Sequence, residues 1–185
     1  EVKETKVEDL KEKIDDKDGT NAKQAPSPTR VEYGERFTKV NGKKALKPNI
    51  EYIDANNYKY VTDDKGRIVS VQGVLIKQKG KRNLYAQRTV GGADRKDYDD
   101  GGHLIGTQFN GSGNIDNLVP QNQFINRSNG QWYNMEKKWA EALDKDKRVE
   151  VDIKVIYNSS SVRPDSFEVT YFINGESYLE IIPNP

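Results

Sequence analysis

His103 is the only histidine in this chain, and there is no cysteine. With an ordinary pKa of about 6.5, it is the one side chain able to take and return a proton near neutral pH. It stands in Asp99-Asp100-Gly101-Gly102-His103-Leu104. Glycines before a histidine permit close approach by a ligand, or simply a turn. A neutral imidazole at this point could take a proton from water. A hydrogen bond from its other ring nitrogen to a backbone carbonyl would fix the tautomer. The missing cysteines exclude disulfides, thiol nucleophiles, iron–sulfur clusters and thiolate-bound zinc. One histidine cannot form a multi-histidine metal cage. Any bound metal is therefore expected to be a hard cation on oxygen ligands, with Mg2+ favoured because it keeps much of its hydration shell.

A second constellation follows. Asn117-Leu118-Val119-Pro120-Gln121 precedes Ile125-Asn126 and then Trp132 through Glu136. Glu136 shares a helical stripe with Trp132, Met135, Trp139, Ala142 and Leu143, at i, i+3, i+4, i+7 spacing. A carboxylate on an apolar stripe is costly unless it has a partner. Holding a water of a cation's hydration shell would supply one. Otherwise Glu136 is a rim residue paired with a lysine.

These residues need elements to position them. His103–Phe109 reads as a strand, and Gly111-Ser112-Gly113 as a mobile loop. Asn117–Val119 reads as a second short strand, and Gln131–Leu143 as a helix capped by Ser128 or Asn129. On one flank, Tyr58–Thr62 and Ile68–Ile76 read as strands joined by Asp63-Asp64-Lys65-Gly66. On the other, Val149–Tyr157, Phe167–Ile173 and Tyr178–Ile182 alternate, with an Asn174-Gly175 hairpin signal. Both flanks are thus antiparallel β. Arg163-Pro164-Asp165-Ser166 reads as a turn without chemistry, and both tryptophans read as core.

Ahead of this, Val7, Leu10 and Ile14 form a helical stripe, which Asp18-Gly19-Thr20-Asn21 breaks. Pro26-Ser27-Pro28 reads as a linker. The leader is either solvated or a docking helix. The expected division is a tail and linker over 1–45 and a single domain over 46–185. Glu1-Val2-Lys3 is neither a signal peptide nor a natural start, so a longer parent chain is expected.

The length, 185 residues, suits one domain with a tail. Charged residues make up 32% and mean hydropathy is −0.94. No apolar run approaches the roughly 20 residues of a membrane-spanning helix, so no membrane insertion is expected. Thirty basic and 29 acidic groups leave a net charge of +1. Affinity for nucleic acid must then come from local patches. Lys77, Lys79, Lys81, Arg82, Arg88 and Arg95 stand against Asp94 alone, a local charge of +5. Such a patch suits phosphate contact without base readout, or is an ordinary solvated edge.

Taken together, His103, Asn117, Asn126 nine positions later, and Trp132 with Glu136 resemble the DNA/RNA non-specific endonucleases of the ββα-metal superfamily. Tyr85-Ala86-Gln87-Arg88, Val90-Gly91-Gly92-Ala93-Asp94-Arg95 and the Asp-Gly-Gly-His run narrow the resemblance, as do Gly111-Ser112-Gly113 and Arg163-Pro164-Asp165-Ser166-Phe167. They are similar to nuclease toxin modules of LXG-type polymorphic toxins, many exported by type VII secretion. The likeness covers roughly Tyr58 to Ile182.

The resemblance implies an α+β fold, with a ββα-metal core flanked by antiparallel sheet. It implies Mg2+-dependent cleavage of DNA, with RNA as the alternative substrate, Mn2+ as a substitute and 5′-phosphate products. His103 would be the general base, Asn126 the direct metal ligand and Glu136 a holder of the ion's water. Asn117 would hydrogen-bond near His103 or the scissile phosphate. The family's arginine before Gly-His would bind phosphate; Gly101 stands there instead. Arg88, Arg95 and Arg127 are the candidates to replace it. Implied biology is export, action in a target cell's cytoplasm and a cognate immunity protein over the His103 cleft. The competing expectation is a non-catalytic module that binds nucleic acid or the immunity protein. Activity is expected to fall as pH drops through the histidine pKa.

Overall fold

The computed structural model describes residues 27–185. The expected helical stripe at Val7, Leu10 and Ile14 lies outside the described residues.

Seven strands form one sheet in the order β1 (Thr29–Arg30), β4 (Ile50–Ile53), β5 (Lys59–Thr62), β6 (Ile68–Val74), β9 (Val149–Ile156), β10 (Ser166–Ile173) and β11 (Glu176–Pro183). Only the β1–β4 pairing is parallel. Both expected hairpin turns form. Asn174 and Gly175 have φ of +48° and +82°, the left-handed pair that matches strand twist. Gly66 has φ +73°, and a Cβ there would lie 2.6 Å from the Leu46 carbonyl oxygen. Strands β2 (Phe37–Val40) and β3 (Lys43–Leu46) make a separate hairpin. The division expected between residues 45 and 46 falls inside β3.

The central segment lies between β6 and β9 in the chain and forms a sheet of its own. Strands β7 (Asp99–His103) and β8 (Leu118–Asn122) pair antiparallel. They are preceded by helix α1 (Leu84–Thr89) and followed by α2 (Gln123–Asn126) and α3 (Gln131–Asp144). Helix α3 buries Trp132, Met135, Trp139 and Ala142. Trp132 packs edge-on to Phe167 of β10 at 5.0 Å, and Trp139 to Tyr171 at 5.6 Å. The alternating Val149, Val151, Ile153 and Val155 of β9 join the same core. Burial of each large apolar side chain contributes about 1.5–3 kcal/mol, so this face anchors α3.

Two local expectations need correction. The strand at the histidine is Asp99–His103, not His103–Phe109. Leu104, Ile105 and Phe109 are buried and apolar, which mimics a strand. However, the Asn117 side chain takes the N–H and C=O of Ile105, which ends the ladder. Helix α3 is also preceded by Gly130, without a side-chain cap, rather than by Ser128 or Asn129. A Cβ at Gly130 would lie 2.3 Å from the Ile125 carbonyl oxygen, so close packing of α2 on α3 selects glycine.

Candidate active site

His103 closes β7 opposite Leu118, the first residue of β8. The backbone turns away at once: the Leu104 N–H donates to the Asn117 carbonyl at 2.9 Å. Asn117 is fully buried and uses its whole amide. Its Oδ1 accepts from the Tyr60 hydroxyl and the Ile105 N–H, both at 2.9 Å. Its Nδ2 donates to the carbonyls of Ile105 and Ser112, both at 2.8 Å. No capacity remains for a phosphate. Of its two expected places, Asn117 occupies the one beside the histidine loop, as a strut.

The tyrosines of the flanking sheet serve the same loop. Tyr58 donates to the Phe109 carbonyl at 2.7 Å, and Tyr52 to the Asp116 carbonyl at 2.8 Å. Asp116 is buried and accepts from Tyr33, Arg36 and Ser112. These hydroxyls therefore do more than pack; their partners lie in the segment between β7 and β8.

The His103 ring is partly exposed, but its Nε2 is buried and has no hydrogen-bond partner among the described residues. Burial lowers its pKa to about 4, and the positive charge of Arg82 adds to the shift. The ring is thus neutral at pH 7. Glu136 reaches the same loop from α3. A Cβ on Gly106 would lie 2.4 Å from Glu136 Oε2, so glycine at 106 is what admits the carboxylate. Burial raises the Glu136 pKa to about 8, opposed by Arg82.

Asn126 ends α2 and is turned by Asp100, three residues before the histidine. Its Nδ2 donates to Asp100 Oδ2 at 3.0 Å. Arg127 binds the same carboxylate through two bonds of 3.0 and 2.7 Å. Partial burial disfavours the Asp100 charge, but hydrogen bonds from Arg127 and Asn126 outweigh it and hold the pKa below the usual carboxylate value. With its nitrogen so held, Asn126 presents Oδ1 as the free end of the amide.

The three expected phosphate-binding arginines have separate fates. Arg95 donates to the carbonyls of Gln87, Val90 and Asp99, so it braces α1 on β7. Arg127 is committed to Asp100. Arg88 is exposed and lines a groove with Lys43, Lys44 and Tyr85. Gly101 cannot bear any side chain: a Cβ there would meet the Gln87 carbonyl oxygen at 2.3 Å and its Cα at 2.6 Å. The α1 backbone fills that space. Sequence reading missed Arg82, whose charge acts on both His103 and Glu136. The only sequence signal was its membership of the basic run. It also missed Arg163, which binds Asp99 through two buried bonds of 2.7 and 2.8 Å.

The donor set suits a hard cation. Asn126 offers one amide oxygen, and no cluster of three His, Cys, Asp or Glu side chains occurs among the described residues. An ion held that way keeps most of its water, the habit of Mg2+.

Two short antiparallel strands followed by a helix, beside a large mostly antiparallel sheet, define the fold of the ββα-metal nucleases. The chain belongs to the DNA/RNA non-specific endonuclease family, whose model matches residues 48–175. It is 48% identical over 167 residues to the type VII secretion system protein EssD of Staphylococcus aureus strain USA300, covering 87% of this chain. It spans only 27% of that relative's length. Among solved structures it is similar to NucA of Streptococcus agalactiae with magnesium bound, at TM-score 0.57 and 25% identity, covering 80% of this chain and 82% of that one. The fold also matches Sda1 nuclease with bound zinc, at TM-score 0.55 and 14% identity, covering 80% and 79%.

Proposed function

We propose that this domain hydrolyses phosphodiester bonds of DNA, with RNA as a second substrate, with His103 as general base and a divalent cation at Asn126. The observation that carries the reading is the neutral His103 with the Glu136 carboxyl group against its loop at Gly106. With Nε2 buried, Nδ1 is assigned as the nitrogen that acts on water. It takes a proton as the water oxygen attacks phosphorus. The bond from phosphorus to the 3′ oxygen breaks, and that oxygen takes a proton from water, leaving a 5′-phosphate and a 3′-hydroxyl.

Asn126 Oδ1 would hold the cation directly, and Glu136 would hold water around it. When bound, the cation offsets charge on the phosphate and the departing oxygen. Mg2+ is the favoured ion, because NucA was solved with magnesium; Mn2+ would substitute. Asn117 acts by positioning the loop. Residues 27–185 form the nuclease unit, since β1 and the β2–β3 hairpin belong to the fold around the site.

The likeness to EssD supports export by a type VII pathway and action as an antibacterial toxin inside a target cell. A producing cell would then need an immunity protein, placed over the His103 cleft. Plasmid nicking tests the chemistry. Cutting in Mg2+, its loss in EDTA, and its loss in His103→Ala with native circular dichroism are expected. No cutting by the wild type in Mg2+ or Mn2+ would sink the proposal.

A further inference from the structure

A groove of about 1210 Å3 runs between the β2–β3 hairpin and α1. Of the residues lining it, Leu46, Ile68 and Leu118 are buried and make its floor. Val40, Tyr85 and Val162 on its walls leave 56%, 70% and 42% of their surface exposed. Contiguous apolar surface left open in this way marks a place for a partner. The charge around it is one-sided: Lys43, Lys44, Lys65, Arg67, Arg88 and Arg95 line it against Asp64 alone. Arg67 is held by Asp63, and Arg95 by backbone carbonyls. Lys43, Lys65 and Arg88 are exposed and form no salt bridge among the described residues. The hairpin wall also precedes residues 48–175, which the family model matches.

An aliphatic floor under a cationic rim fits an acidic amphipathic helix better than a nucleic acid. Bases seek aromatic faces to stack on, and phosphates gain nothing from aliphatic carbon. A helix that lies in a groove is anchored by apolar residues at i, i+3 and i+7. The chain itself carries such a segment: Val7, Leu10 and Ile14 have that spacing. From Val7 to Asp18, six acidic residues stand against three lysines, a net charge of −3.

The connection is short. The Thr29 N–H donates to the Asn49 carbonyl at 2.9 Å, and the neighbouring Pro48 lines the groove. The chain therefore enters the fold at the groove's edge. Residues 19–28 span up to about 35 Å when extended. A tether of that length holds its cargo at about millimolar effective concentration, so weak contacts suffice.

We propose that residues 7–18 dock as an acidic helix in the groove between the β2–β3 hairpin and α1. Val7, Leu10 and Ile14 then lie on the aliphatic floor, and the flanking carboxylates face Lys43, Lys65 and Arg88. The docking does not depend on the chemistry at His103. On the nuclease reading it also covers Arg88, one of the cations open to phosphate.

The test uses the full chain, which has no cysteine, so Thr20→Cys carries a single nitroxide label. Amide NMR signals are compared with the label oxidised and reduced. Ala45, Ala86 and Ile115, which line the groove, should lose intensity. The Asn174-Gly175 turn should keep its own, because it closes the end of β10 remote from Tyr157, which also lines the groove. Leu10→Ser with Ile14→Ser should restore the groove signals, and so should Lys65→Glu with Arg88→Glu. In about 1 M salt, where screening acts over about 3 Å, the loss should shrink. The substituted groove residues are exposed, and an unchanged spectrum at the Asn174-Gly175 turn reports that the fold persists. Groove signals that do not respond to the label overturn the proposal, as does an equal loss at Asn174. So does a loss that survives either pair of substitutions. A loss seen on an isotope-labelled copy mixed with a spin-labelled one would make a second copy the occupant, and would overturn docking within the chain.

Discussion

At residue scale, His103 is set by burial. An exposed histidine would lose activity as a base near pH 6.5. Here burial holds the pKa at about 4, so the free enzyme keeps a neutral ring well below that value. The acid limb of kcat/KM should therefore fall through about pH 4 to 5, which a pH–rate profile checks; a limb at 6.5 would refute the burial argument. Stability follows the same sign. Below pH 6.5 the unfolded chain takes up a proton that the folded ring refuses until about 4, so the ring's own contribution to stability falls as pH drops across that window, while Glu136, raised to about 8 by burial, contributes with the opposite sign. Asn117 gives a second prediction. Replacing it by alanine leaves the Tyr60 hydroxyl and both polar groups of Ile105 without their partner in a buried site. Denaturant unfolding should show a loss of about 3–5 kcal/mol, and activity should fall with the loop's order.

At element scale, α1 and β7 are packed backbone to backbone. Gly101→Ala forces a Cβ to within 2.3 Å of the Gln87 carbonyl, and that backbone cannot yield cheaply. A loss of more than about 2 kcal/mol is expected by thermal or chemical unfolding. The replacement that restores the wider family's arginine, Gly101→Arg, should be no better tolerated. The link from β7 to α2 is different in kind. Asp100→Ala removes the carboxylate that orients the Asn126 amide. If Asn126 holds the cation as proposed, its carboxylate partner is worth typically about 10–100-fold in metal affinity. The Mg2+ concentration giving half-maximal nicking should rise by that factor, with fold and melting temperature close to wild type.

At the scale of the whole molecule, two buried ion pairs tie distant segments to the site. Arg36 lies between the rings of Tyr33 and Phe37, at 3.5 and 4.1 Å, and pairs with Asp116 at 3.0 Å. Arg163 binds Asp99 and the carbonyls of Asn184 and Pro185. Breaking a buried pair strands the remaining charge and costs about 3–5 kcal/mol. Arg163→Met and Arg36→Met should each lose that much in chemical denaturation. A change below 1 kcal/mol would mean that the pairs do not clamp the site.

The sequence by itself determined the alternating strands of both flanks, the Asn174-Gly175 turn, the α3 stripe and the spacing of His103, Asn126 and Glu136. All of these are local, fixed by side-chain period and by backbone conformations only certain residues adopt. Tertiary structure alone decided the rest. Which side of His103 is strand depended on an Asn117 amide fourteen residues away. That Arg95 braces the fold depended on the carbonyls that claimed it, and that residue 101 is glycine on a helix that filled the space over it. Hydrogen-bond competition and steric exclusion act between residues distant along the chain, and only their meeting in three dimensions sets the outcome.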